Sequence, residues 1–283
     1  MSIYKIINVG ANKRLNINRS GTAPLYNNQN ITVWEKTGSE DQSWLIDNLG
    51  NGVYIRSIVN SNFGLNVYRV GSPYNCDLYP ISGNETDSCV NIIPCGGRYR
   101  IQLANYPNLY LTAGGNTNGS NVYWSELVES SSYQLWGFYK IEPLSCPLDS
   151  YTYISQYFKG DEHRGIDYAA PQGTAIKAAN AGTVIYIQNW NGNTSGMDSM
   201  GNAVYIRHNH GMTIYMHLNE SASNYVTLGQ TVEKGDMIGR VGTTGNSTGY
   251  HLHFEYKVGN SFPENNVSAY NYGYWVDPLK YIQ

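Results

Sequence analysis

The sequence predicts an all-β chain in two halves, and three observations carry that expectation. Charged residues make up 14% of the 283 while glycine (30) and tyrosine (26) are abundant, a composition typical of loop-rich β structure. The first half repeats itself with a period of about 45 residues. The second half breaks into short apolar runs separated by glycine turns, without a sustained helical period. A chain of this length accommodates two domains, each with its own core. A net charge of −3 and no basic clusters argue against nucleic acid as a partner. No apolar run reaches the ~18 residues of a membrane span. Met1-Ser2-Ile3-Tyr4-Lys5-Ile6 has no basic segment leading into an apolar one, so no signal peptide is visible. An extracellular protein of this sequence would need a trimmed leader, a dedicated exporter or release by cell lysis.

Three copies of one unit fill the first half. Each opens with an alternating strand (Tyr4 to Asn8, Tyr54 to Ile58, Tyr99 to Leu103) and continues with a second (Arg14 to Ile17, Gly64 to Val67, Leu109 to Thr112). A third follows at Ile31 to Trp34, Cys76 to Tyr79 and Asn121 to Trp124. The copies close on Gln42-Ser43-Trp44 and Gln134-Leu135-Trp136, the middle one departing at Asp87-Ser88-Cys89. Four short strands cannot bury an apolar face alone, so the copies must share a core. A closed barrel capped by hairpins with pseudo-threefold symmetry satisfies that requirement.

On this spacing and the two Gln-x-Trp closures, residues 1–142 resemble the ricin-type β-trefoil lectins. The resemblance implies glycan binding, with Trp34, Tyr79 and Trp124 as the aromatics that stack on a sugar ring. Asn16, Asn66 and Thr112 stand beside them where that family usually offers a carboxylate. The closing tryptophans are expected in the core, with the Gln amides tying buried turns. None of Cys76, Cys89, Cys95 and Cys146 has the Cys-x-x-Cys spacing of a thiolate zinc site. Free thiols and disulfides both fit that pattern. In a trefoil the first and last strands of a repeat pair antiparallel, which implies a Cys95–Cys146 bond, and Cys76 with Cys89 is a further pairing.

Residues 143–147, with Pro143 and Pro147, read as a short stiff linker. From 148 to 283 strands are expected at Thr174 to Ala178, Gly182 to Ile187, Ala203 to Arg207, Met212 to His217, Met237 to Val241 and His251 to Lys257, with Asn189 to Gly201 as a mobile loop. All six histidines lie here. His251 and His253, two apart on a strand, share one face. With His163, Asp167 and His217 they supply imidazoles and a carboxylate, the donors Zn²⁺ takes when it keeps a position open for water. His208 and His210, at a hairpin tip, are expected in solvent. Glu255, on the face of His253, reads equally as a partner of that imidazole or as an exposed strand-end carboxylate.

His163-x-Gly165-x-Asp167, Tyr215-Met216-His217-Leu218, Lys234-Gly235-Asp236, Gly242 to Gly249 and His251-x-His253-Phe254-Glu255 follow one another as in the lysostaphin-type zinc endopeptidases, which this half resembles down to Val276-Asp277-Pro278-Leu279. Tyr250 stands where proline or a small residue is common. The resemblance implies one Zn²⁺ per chain held by His163, Asp167 and His253, with His217 and His251 as unligated bases and Tyr157 stabilising the oxyanion. The implied substrate is the peptide cross-link of bacterial peptidoglycan, with a surface glycan as the partner of the first half. A lectin-like toxin or binding protein, whose second half is latent or cuts a glycine-rich protein outside the wall, is the alternative.

Overall fold

The computed structural model describes residues 2–21, 23–37, 39–49, 52–259, 262–263 and 267–283. It divides into two compact units, Met1–Glu142 and Pro143–Gln283.

The first unit holds twelve strands: β1 (Ser2–Asn8), β2 (Lys13–Ile17), β3 (Gln29–Trp34), β4 (Trp44–Leu49), β5 (Gly52–Ser57), β6 (Phe63–Tyr68), β7 (Tyr74–Pro80), β8 (Val90–Cys95), β9 (Arg98–Leu103), β10 (Tyr106–Ala113), β11 (Ser120–Ser125) and β12 (Trp136–Ile141). First and fourth strands of each repeat close a ring, with β1 on β4, β4 on β5, β5 on β8, β8 on β9, β9 on β12 and β12 on β1, all antiparallel. Second and third strands form hairpins, and β3, β7 and β11 pair with one another. A six-stranded barrel with a triangular cap of hairpins is the β-trefoil.

One core serves all three repeats. Leu15, Leu65 and Leu111 from the second strands and Val33, Leu78 and Val122 from the third are each under 1% exposed, and Trp44 and Trp136 join them. The indole N–H of Trp44 donates to Leu15 O at 3.1 Å and that of Trp136 to Leu111 O at 2.9 Å, so neither ring buries an unpaired donor. The middle repeat has no closing tryptophan, and the third buried indole comes from β11. Trp124 is fully buried and its Nε1 donates to Asn66 O at 3.1 Å. The expectation that Trp124 stacks on a sugar is therefore wrong, because the core claims that ring.

The second unit holds β13 (Tyr153–Gln156), β14 (Ile166–Ala169), β15 (Ala175–Lys177), β16 (Gly182–Gln188), β17 (Asn202–His208), β18 (Gly211–Leu218), β19 (Thr231–Val232), β20 (Met237–Arg240), β21 (His251–Val258) and β22 (Tyr274–Val276). Seven lie side by side in the order β13-β14-β21-β18-β17-β16-β19; β22 adds to β21, and β15 pairs with β20 apart from them. Residues 143–147 are built into this unit. Leu144 is buried and its N–H donates to Tyr281 O at 2.9 Å, while Ser145 N–H donates to Ala179 O at 2.8 Å. The loop from Asn189 is tied by its own side chains, Trp190 Nε1 donating to Asn193 O at 2.6 Å and Asn193 Nδ2 to Asp198 Oδ2 at 3.1 Å.

All four cysteines are free thiols, which corrects the expected Cys95–Cys146 bond. Cys95 ends β8 opposite Arg98 at a hairpin tip, and Cys146 belongs to the second unit, where its thiol engages Tyr168.

Candidate metal centre

Strand register brings the donors together. Asp167 on β14 lies directly across from His253 on β21, and cross-strand partners share a face. His163 enters from the turn before β14. The ligating atoms of His163, Asp167 and His253 all fall within 4.8 Å of one another. Asp167 Oδ1 is 3.2 Å from His163 Nε2 and 2.6 Å from His253 Nδ1. Burial works against the Asp167 charge, but the two imidazoles beside it hold its carboxyl well below the usual range. His163 Nδ1–H donates to Tyr157 O at 2.9 Å, which leaves Nε2 as a buried lone pair without a hydrogen bond. A buried orphan nitrogen beside a carboxylate and a second imidazole fits a divalent metal.

His217 should face away from this site. Met216 pairs with His253, so simple alternation turns the next residue to the opposite face. The register against β17 slips between Asn202↔Leu218 and Val204↔Tyr215, placing an extra residue on β18, and His217 has φ +62°. That bulge swings the imidazole back to the site, 4.7 Å from the ring of His251. His217 Nδ1–H donates to Thr244 O at 2.7 Å and His251 Nδ1–H to Gly249 O at 2.9 Å. Both rings therefore present Nε2 as the open lone pair, that of His251 being 3.9 Å from Asp167 Oδ1. Burial, with His251 alongside, pushes His217 down to about 4, so it is a neutral base at physiological pH. Tyr157 has an exposed phenol, and its carbonyl anchors His163.

His163, His217 and His253 line a cleft of about 380 Å³ with Asp161, Arg164, Met200, Asn246 and Tyr270. Sequence reasoning did not single out Thr244, whose carbonyl orients His217, nor Tyr270 and Trp275, which hold Glu255. A glycine-rich turn and aromatics far along the chain give no local sign of such contacts. Glu255 is buried, so the exposed reading of it falls. Gly165 has a plain reason in the His-x-Gly-x-Asp motif, since a β-carbon there would sit 2.8 Å from His253 Nε2 and 2.6 Å from Phe254 O. His208 is not in solvent. Its Nδ1 contacts Ala181 O and its Nε2 Thr213 Oγ1, each at 2.8 Å, and burial lowers its pKa to about 4.

In the first unit the polar sugar candidates turn inward. Gln42 Nε2 donates to Asn16 Oδ1 at 3.4 Å, Gln134 Nε2 to Thr112 Oγ1 at 3.0 Å and Ser88 Oγ to Asn66 Oδ1 at 3.0 Å. Asn16, Asn66 and Thr112 are buried and hydrogen-bonded within their own repeats. Trp34 is half-buried and Tyr79 is 41% exposed, so of the three aromatics these two reach the surface.

Two imidazoles and a carboxylate around one point, with two further imidazoles presenting lone pairs, define a metallohydrolase site on an antiparallel sheet. Residues 161–266 match the model of Peptidase family M23, and residues 2–75 that of the Ricin-type beta-trefoil lectin domain-like family. DD-carboxypeptidase/endopeptidase Mpg of Neisseria meningitidis serogroup B is 44% identical over 108 residues, 38% of this chain and 22% of that protein. This chain thus spans about a fifth of that relative. The uncharacterized lipoprotein YgeR of Escherichia coli K12 is 31% identical over 237 residues, 82% of this chain and 83% of its own. Among solved structures, the catalytic domain of lysostaphin from Staphylococcus simulans is 30% identical, covering 46% of this chain and 87% of that one with a TM-score of 0.33. The chain belongs to peptidase family M23, its second unit a metalloendopeptidase domain and its first a ricin-type β-trefoil. Among the described residues no helix is long and apolar enough to cross a membrane.

Proposed function

We propose that this protein is a zinc-dependent endopeptidase that hydrolyses peptide cross-links of bacterial peptidoglycan, and that its trefoil attaches it to a surface glycan. The observation that carries the reading is the convergence of His163 Nε2, Asp167 Oδ1 and His253 Nδ1 beside two imidazoles whose Nδ1–H groups are already committed to carbonyls. His163, Asp167 and His253 would hold one Zn²⁺. When bound, the ion would act as a Lewis acid on the scissile carbonyl and lower the pKa of a water towards about 7.

The chain's own groups do the remaining work. His217 Nε2, neutral because its ring is buried, accepts the proton of the attacking water and passes that same proton to the leaving amine, while His251 Nε2, the other open lone pair, accepts a hydrogen bond from the water and orients it. The exposed Tyr157 phenol, on the residue whose carbonyl holds His163, is the donor assigned to the negative charge that develops. The name of the Neisseria relative makes a D,D-cross-link the first bond to try. In the trefoil, Trp34 and Tyr79 are the sugar platforms that remain.

Zinc determined by elemental analysis, together with release of free amines from purified peptidoglycan before and after a chelator, tests the reading. One zinc per chain with chelator-sensitive release is expected. Zinc without amine release would point to another protein substrate.

A further inference from the structure

We infer that Glu255 is a positioning residue for the metal centre, the carboxylate that fixes the His253 ring so that Nδ1 faces the metal; this rests on the zinc reading above. His253 Nδ1 points at Asp167, so it can ligate only as a lone pair, and the ring proton must then sit on Nε2. An N–H buried there needs an acceptor. Glu255 Oε1 lies 3.2 Å from Nε2 on a side chain only 2% exposed.

Glu255 is itself held from two directions. Tyr270 OH donates to its Oε1 at 3.2 Å and Trp275 Nε1 to its Oε2 at 3.0 Å. Trp275 is gripped in turn, with Lys257 Nζ 3.5 Å and the Arg164 guanidinium carbon 4.0 Å from its ring centre. Lys257 also donates to Tyr270 O. The missing side chain at Gly165 leaves room for this arrangement, because a β-carbon would crowd both His253 Nε2 and Glu255 Cγ, the latter at 3.0 Å. A strand-end carboxylate with a merely solvating role would not be buried, triply hydrogen-bonded and given space by a glycine. Alternation on β21 sets His251, His253 and Glu255 on one face, so one strand supplies a base, a ligand and the ligand's support.

The test is zinc affinity, measured by competition with a chromophoric chelator on the full chain, alongside the melting temperature of each metal-free protein. Glu255→Ala is expected to bind zinc about 10–100-fold more weakly. Glu255→Gln, whose amide oxygen still accepts from Nε2–H, is expected within a fewfold of wild type. Trp275→Phe keeps a ring for Arg164 and Lys257 but removes the donor to Oε2, and should weaken zinc by an intermediate factor even if the alanine variant fails to fold. Unchanged affinity in folded Glu255→Ala, or in Trp275→Phe, overturns the inference alone, as does Glu255→Gln binding no better than Glu255→Ala. A wild-type chain that takes up no zinc overturns the reading of the centre and this inference with it.

Discussion

His217 and His253 have ring centres 6.1 Å apart, yet their surroundings give them opposite roles. His253 turns Nδ1 to Asp167 Oδ1 at 2.6 Å and has Glu255 Oε1 against its Nε2, whereas His217 commits its Nδ1–H to the Thr244 carbonyl and leaves Nε2 open beside the ring of His251. His253→Ala should lose zinc and activity together. His217→Ala should retain the metal and lose turnover by ~10²-fold or more; zinc loss in both variants would refute this division of labour. In the trefoil, Asp77 makes the opposite case, a charge buried without adequate support. It is fully buried, its Oδ2 has no partner, and burial raises its pKa to about 6 despite a 3.0 Å hydrogen bond from Asn66. Between the unfolded value of 3.8 and about 6 the folded state keeps a proton that the unfolded chain has released, so stability falls as pH rises through that window. The loss amounts to at most ~3 kcal/mol above it. Asp77→Asn should raise the melting temperature at pH 7.5 and leave it nearly unchanged at pH 4; an equal shift at both would show that the gain does not come from the charge.

At the scale of elements, what could be read from the chain was whatever one strand decides for itself. Period 2 put His251 and His253 on a face, and the 45-residue repeat implied a shared barrel core, because both follow from local pattern. The route taken by His217 was not legible, since alternation assigns it to the wrong face and only the register between β17 and β18 creates the bulge. The Asp167–His253 pairing, 86 residues apart, was likewise a matter of sheet register. Trp124 was misread for a related reason. Its place in the repeat matched a family aromatic, but the absence of a closing tryptophan in the middle repeat drew the core's third indole from β11. Trp124→Ala should therefore destabilise the trefoil by about 3–5 kcal/mol, while Tyr79→Ala, on a ring 41% exposed, should leave its melting temperature within experimental error. Equal stability of the two variants by denaturant titration would count against the core role of Trp124.

For the molecule as a whole, the division of labour follows from where the chemistry lies. Every group of the metal centre belongs to Pro143–Gln283, and the trefoil closes its own barrel within Met1–Glu142. Among the described residues neither core borrows a strand from the other, so residues 143–283 should fold without residues 1–142. The truncated chain is then expected to hydrolyse a small soluble cross-link peptide at the full-length rate. On intact walls it should fall behind, because a tethered glycan-binding unit raises the local concentration of cross-links and multiplies attachment without a new catalytic contact. Pull-down on purified walls should show the loss of attachment directly, and free glycan added to the full-length protein should reproduce it. If cleavage of the soluble peptide also disappears while the truncated chain still binds zinc, the trefoil takes part in the chemistry and the targeting account is wrong.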